Sequence, residues 1–221
     1  MSAFQALLYR DMKLAFRAGG GASLAMAFFG LVISLQPFGV GPDLMLLSRI
    51  AGGVLWVTAA LAAMLSLDRL FQADYEDGSL DIIALSPLSL EWAATAKMLA
   101  HWLTTGLPLV LLSPLLGLLL NLPAPGYLPL IMSLMIGTPA LSGIGAIGAA
   151  LTLSIRRGGL ILVLIVLPLI SPTLIFGAGT VIDAIEGTGR GAFALLAAFS
   201  VAVVGLSPFA AAASVRLNLA N

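Results

Sequence analysis

From Met98 to Ile155 the chain carries no Asp, Glu, Lys or Arg. A run of that length has no polar face to offer water, and a bilayer core is crossed by ~20 apolar residues in a helix. The segment Asn121-Leu-Pro-Ala-Pro-Gly126 breaks the run with turn-forming residues, so it reads as two spans, near 98–120 and 127–154. The same count places others near 22–40, 50–67, 158–182 and 191–215. Composition agrees: 60% of residues are hydrophobic, 9% are charged, and mean hydropathy is +1.11, which no water-soluble domain of this size tolerates at its surface. The expectation is an all-α integral membrane protein of six transmembrane helices, residues 1–221 forming a single transmembrane domain.

Ahead of the first span, Phe4, Leu7, Leu8, Met12, Ala15 and Phe16 recur at three- and four-residue spacing, with Gln5, Arg10, Asp11, Lys13 and Arg17 between them. That pattern predicts an amphipathic interfacial helix over 3–17. Gly19-Gly20-Gly21 ends it. No small-x-small cleavage site follows the next apolar run, so this run reads as a span rather than a secretory signal. Loop Lys and Arg residues set orientation. One side collects Arg10, Lys13, Arg17, Arg69, Lys97, Arg156, Arg157 and Arg216, against Arg49 and Arg190 opposite. Both termini and the loop 68–97 are therefore expected in the cytoplasm. Topology retention alone accounts for the Arg156-Arg157-Gly158-Gly159 turn.

Several function classes drop out. Zero net charge gives no electrostatic footprint for nucleic acid, and the lack of cysteine with a single histidine excludes thiolate sites and argues against a metal cage. Neither Lys13 nor Lys97 follows a glycine, so there is no phosphate-binding Gly-Lys-Ser/Thr loop. With every formal charge expected at or beyond a helix end, no buried carboxylate is available as a proton relay. Energy for any uphill movement must come from another polypeptide.

The charged exception is Asp74 to His101. Gly78 permits a tight turn, Ser79 is placed to cap a helix, and Asp81 suits the positive end of the helix dipole. A short helix from Leu80 to about Leu85 is expected to stop at Ser86, because Pro87 disfavours helical geometry there. Leu80, Ile82, Ile83 and Leu85 then form an apolar knob on an acidic stalk of Asp74, Glu76, Asp77 and Asp81. Left bare, that knob exposes too much apolar surface; it fits a partner's groove with basic residues at its rim.

Glu76-x-Gly78-Ser79-Leu80-Asp81, then Ser86-Pro87, then Lys97 resembles the coupling loop of six-helix permeases of the ABC-2 type. More narrowly, seven motifs are similar to those of the CcmB family, over nearly the whole chain: Leu67-x-Arg69-Leu70-Phe71, Asp77-Gly78-Ser79-Leu80, Lys97-x-x-Ala100-His101-Trp102, Thr105-Gly106-Leu107-Pro108, Leu112-Ser113-Pro114-Leu115, Arg157-Gly158-Gly159 and Leu206-Ser207-Pro208-Phe209. Asp81 stands where many permeases carry Glu. The resemblance implies the permease subunit of the haem exporter complex of cytochrome c maturation, in the bacterial inner membrane. It also implies two copies of this chain, two copies of a cytoplasmic ABC ATPase, a haem-handling membrane protein with a small membrane subunit, and ATP-driven release of a haem-loaded periplasmic chaperone. On this reading Glu76, Asp77, Gly78, Ser79, Leu80, Asp81, Ile82, Ile83 and Leu85 contact the ATPase. ATP belongs to the partner, haem is at most cargo, and this chain binds no cofactor.

Other residues admit two readings. His101 beside Trp102 is a haem contact or, as expected here, an anchor at the headgroup level; Met64 and Met98 are the available second ligands. Gly137, Ser142, Gly143, Gly145, Ala146, Gly148, Ala149 and Ala150 make a close-packing face, within the chain or across a dimer. Ser-Pro pairs at Ser113, Ser171 and Ser207 mark kinks whose serine satisfies freed backbone groups. Two rival functions remain. A scaffold holding partner subunits is one; the other is an intramembrane serine protease, since Ala140-Leu141-Ser142-Gly143 resembles a nucleophile turn. The protease reading is expected to fail for want of a base near Ser142.

Overall fold

The computed structural model describes residues 2–16, 21–153, 155, 158–189 and 191–219. Arg17, Arg156, Arg157 and Arg190, used above to set orientation, lie outside them. Ten helices account for nearly all of the described residues: α1 (Ala3–Ala15), α2 (Gly21–Val40), α3 (Leu44–Met64), α4 (Arg69–Glu76), α5 (Ser79–Leu85), α6 (Leu90–His101), α7 (Leu107–Leu119), α8 (Ala124–Leu151), α9 (Gly158–Glu186) and α10 (Ala192–Leu219). Six helical runs are long and apolar enough to cross a membrane: α2, α3 through α4, α6 through α7, α8, α9 and α10. The chain is an all-α, multi-pass membrane protein.

Local signals explain most boundaries. Ser2 and Gln5 form a reciprocal capping box that starts α1, with Gln5 N donating to Ser2 Oγ at 3.3 Å and Ser2 N to Gln5 Oε1 at 3.1 Å. Asp43 caps α3 by accepting from the amides of Met45 and Leu46 at 2.9 and 3.1 Å. This cap starts the helix at Leu44, before the uncharged run begins, and Arg49 rides on its exposed side. The loop 68–97 is not an extended loop: α4, α5 and the first two turns of α6 occupy it.

Between α6 and α7 lies a π-helical turn, Trp102–Gly106, which keeps Leu90 to Leu119 continuous. It sits where Pro108 withholds the amide that the Thr104 carbonyl would otherwise accept from. Two Ser-Pro pairs act as expected. Ser113 Oγ donates to Val110 O at 2.8 Å and Ser171 Oγ to Pro168 O at 2.7 Å, the carbonyls left without donors by Pro114 and Pro172. Ser207 instead directs its hydroxyl to Met98 Sδ at 3.7 Å.

The small-residue face of α8 is spent inside this chain. All eight of its named residues are buried. Trp56, fully enclosed and donating to Ser133 Oγ at 3.0 Å, lies against Gly137 and Gly177, where an added Cβ would stand 2.4 and 2.3 Å from the indole. Leu67 and Val166 press on Gly145 and Gly148 in the same manner. Helix α8 is thus the axis around which α3, α6, α9 and α10 close. Leucines such as Leu111, Leu115, Leu164 and Leu206 point outward, as lipid-facing positions do.

Candidate functional site

Helix α4 stops at Asp77, and Gly78 reverses the chain with φ +77°, a left-handed conformation glycine adopts without strain. Ser79 is then the first residue of α5 rather than its cap. Asp77 takes the capping role: its Oδ1 accepts from Ser79 N at 2.8 Å and from Ser79 Oγ at 2.6 Å. The Ser79 hydroxyl bond and then the Ser79 amide bond hold the Asp77 carboxyl below its ordinary range. At the far end Ser86 is extended (φ −73°, ψ 164°) as Pro87 requires. Its hydroxyl closes the turn by donating to Ile83 O at 2.7 Å.

The apolar knob divides in two. Leu80 is buried in the main core, and Ile83 packs partly against the small cluster of Leu7, Ala93 and Ala96. Ile82 and Leu85 are 71% and 88% exposed. Helical periodicity is the reason, since positions three apart share a face while Ile82 and Leu85 fall on the other. Glu76, Asp77 and Asp81 are exposed beside them, Glu76 Oε1 accepting from Gln72 Nε2 at 2.8 Å. Of the nine expected contact residues, the outward surface therefore holds Ile82 and Leu85 with these acids.

Asp74 does not belong to that surface. It is buried, and each of its oxygens is engaged: Arg10 Nη2 donates to both at 2.8 Å, Ser79 Oγ to Oδ1 at 2.8 Å, and Lys97 Nζ to Oδ2. Lys97 lies inside α6, also buried, and its ammonium reaches Asp11 Oδ2 and Leu70 O at 3.0 Å besides. Charges were expected only at or beyond helix ends; here a closed ion cluster joins α1, α4, α5 and α6. Arg10, Asp11 and Lys97 escape sequence reasoning because their partners are remote along the chain. The available signal is Lys97 itself, a lone cation between apolar stretches.

His101 is also relocated. It is buried instead of resting at a lipid headgroup, its Nδ1 2.8 Å from Ser142 Oγ and its Nε2 2.9 Å from Ser66 Oγ. The turn between α3 and α4 is pinned to α6 and α8 through this one ring. Both ring nitrogens are engaged by hydroxyls, and Met98 is buried against Ser207. The cavity that His101 lines, between α1, α4 and α6, measures about 250 Å³, under the roughly 300–1,000 Å³ of ordinary ligand pockets. The expected lack of a base near Ser142 is thereby overturned. Yet Ser142 is only 2% exposed, and Ser66, a neutral hydroxyl, stands where a triad carries a carboxylate.

The family model described as "CcmB protein" matches residues 2–218. "Heme exporter protein B" of Paracoccus denitrificans (strain Pd 1222) is 58% identical over 216 residues, covering 97% of this chain and 99% of that one. The protein of that name from Rhodobacter capsulatus is 56% identical over 216 residues, with the same coverage. Its counterpart in Escherichia coli (strain K12) is 41% identical over 210 residues, 95% of this chain and 96% of that one.

Proposed function

Since this chain belongs to the CcmB family, we propose that it is the membrane subunit of a haem export complex and that α5 is its contact with a separate ABC ATPase. The observation that carries the contact is the outward face of α5: Ile82 and Leu85, bare and adjacent, flanked by Glu76, Asp77 and Asp81. Two apolar anchors inside an acidic rim suit a groove with basic edges. ATP is bound and hydrolysed by the partner, and this chain has no catalytic role. Haem is cargo of the complex.

In this reading the chain lies in a bacterial inner membrane with both termini cytoplasmic, so that α5 meets the ATPase. Two copies assemble with two ATPase subunits, a haem-handling membrane protein and its small membrane subunit. The work of ATP hydrolysis frees a haem-loaded periplasmic chaperone for c-type cytochrome maturation. Support comes from the family, from the loop Lys and Arg asymmetry and from the acidic, apolar-tipped helix. The scaffold alternative, in which the chain only holds its partners together, draws on the dense packing of α8 and needs no movement.

The experiment is purification of the complex in mild detergent from cells carrying Leu85→Asp, alone and with Ile82→Asp. Loss of the ATPase from a normally inserted chain is the expected result. Full retention, with unchanged ATP hydrolysis, removes α5 as the contact. ATPase activity that is indifferent to this segment while the other subunits still assemble favours the scaffold.

A further inference from the structure

A push on the outer face of α5 must reach the membrane helices by some route, and Ser79 stands at the junction. Its hydroxyl lies 2.6 Å from Asp77 Oδ1 and 2.8 Å from Asp74 Oδ1, yet a hydroxyl has a single proton to donate. The two carboxylates compete for it. Asp77 is exposed, and the partners described for it are the amide and hydroxyl of Ser79. Asp74 is buried and already bonded to Arg10 of α1 and Lys97 of α6. Lys97 in turn divides its three donors among Asp74, Asp11 and the Leu70 carbonyl.

We infer that the Ser79 hydroxyl is a two-position switch, serving Asp77 while the α5 surface is free and Asp74 once a cationic group of the docked ATPase takes Asp77. This rests on the reading of α5 as the ATPase contact. A charge-assisted bond from Arg or Lys outcompetes a neutral hydroxyl for an exposed carboxylate. The displaced proton donor has one neighbour to turn to, and that neighbour is the hub of the ion cluster. A packed, fully paired cluster has discrete arrangements, so a bond gained at Asp74 resets Lys97 and Arg10 together. Because Gly78 is the only residue between α4 and α5 outside helical geometry on the Ser79 side, α5 pivots there without unwinding either helix. Ser79 is a positioning residue, acting on α6 and α1 through Asp74.

The test uses the whole complex in cells and purified in detergent. Ser79→Ala removes the donor, and Ser79→Thr keeps it. With Ser79→Ala the ATPase is expected to co-purify at the wild-type level and to hydrolyse ATP, while production of mature c-type cytochrome falls about tenfold, the worth of one hydrogen bond to a charged group. Ser79→Thr is expected to restore it. Asp77→Asn, a neutral and weaker acceptor, leaves the hydroxyl on Asp74 in both states and is expected to lower production as well. Normal cytochrome production from Ser79→Ala or from Asp77→Asn overturns the switch and leaves α5 as the contact. Loss of the ATPase with Ser79→Ala also overturns it, since the hydroxyl then acts in docking. Retention of the ATPase by Leu85→Asp is a separate failure, that of the contact itself.

Discussion

Lys97 Nζ on α6 lies 3.0 Å from Asp11 Oδ2 on α1, although 86 positions separate them in sequence. This bond and those to Asp74 and Leu70 O make α1 part of the bundle instead of a loose appendage. Taking charges out of water is costly unless each is paired and hydrogen-bonded. Here every donor of the ammonium is used.

Lys97→Met is therefore expected to destabilise the purified chain by about 3–5 kcal/mol, because Asp11 and Asp74 keep their charge with Arg10 as the remaining cation. The triple change Lys97→Met, Asp74→Asn, Asp11→Asn removes the uncompensated charge and is expected to recover much of that loss. Thermal unfolding in detergent, run as a mutant cycle, measures both. A single variant as stable as wild type contradicts the buried cluster.

Gly177→Ala is expected to cost about 1–3 kcal/mol, the usual penalty for overpacking a close-packed core. Its new methyl would stand 2.3 Å from the Trp56 ring, and Trp56 is held by Ser133 and cannot retreat. Gly205→Ala on α10 is the control. Nothing lies within 4 Å of its added Cβ, and exchanging Gly for Ala in a helix gains up to about 1 kcal/mol. Tryptophan fluorescence during unfolding separates the two.

Reversing charge at the rim, with Glu76→Lys or Asp81→Lys, is expected to weaken ATPase capture about tenfold or more by setting like charges against each other. Membrane insertion stays normal, as both residues are exposed. Raising salt weakens wild-type capture, since exposed charges are screened beyond about 8–10 Å. Equal capture by both variants at low salt counts against an acidic contact.

The Asp77 carboxyl is held below its ordinary value of 3.8 by Ser79. A group whose folded pKa is depressed stabilises the fold above its unfolded pKa, and that contribution disappears as pH falls through the depressed value. Amides at the start of α5 should thus lose protection from hydrogen exchange as pH drops below about 4, earlier than those of α8, which starts after Pro123 with no side-chain cap. In Asp77→Asn this pH dependence should be absent.

His101→Gln is expected to leave the haem spectrum of the purified complex unchanged, because both ring nitrogens face serines. Its effect is on stability, about 0.5–1.5 kcal/mol for each hydrogen bond lost, since Ser142 and Ser66 keep the carbonyls of Thr138 and Ala63 as partners. A changed Soret band in this variant restores His101 as a ligand.

What the sequence determined is set by local rules. Uncharged runs long enough to cross a bilayer fixed six helices, a Ser-Pro pair announced how Pro114 and Pro172 are accommodated, and Pro87 stopped α5 at Ser86. Each depends on residues within a turn or two of one another. Only tertiary structure decided which face of α5 is inward, that Asp74 is buried while Asp77 is exposed, and that His101 meets Ser142 rather than lipid. Those outcomes depend on pairs such as Arg10 with Asp74 and Lys97 with Asp11, in which a charge enters the interior only because a distant helix brings its partner. Hydropathy along the chain registers the cost of burying a charge, and it is blind to the partner that offsets it.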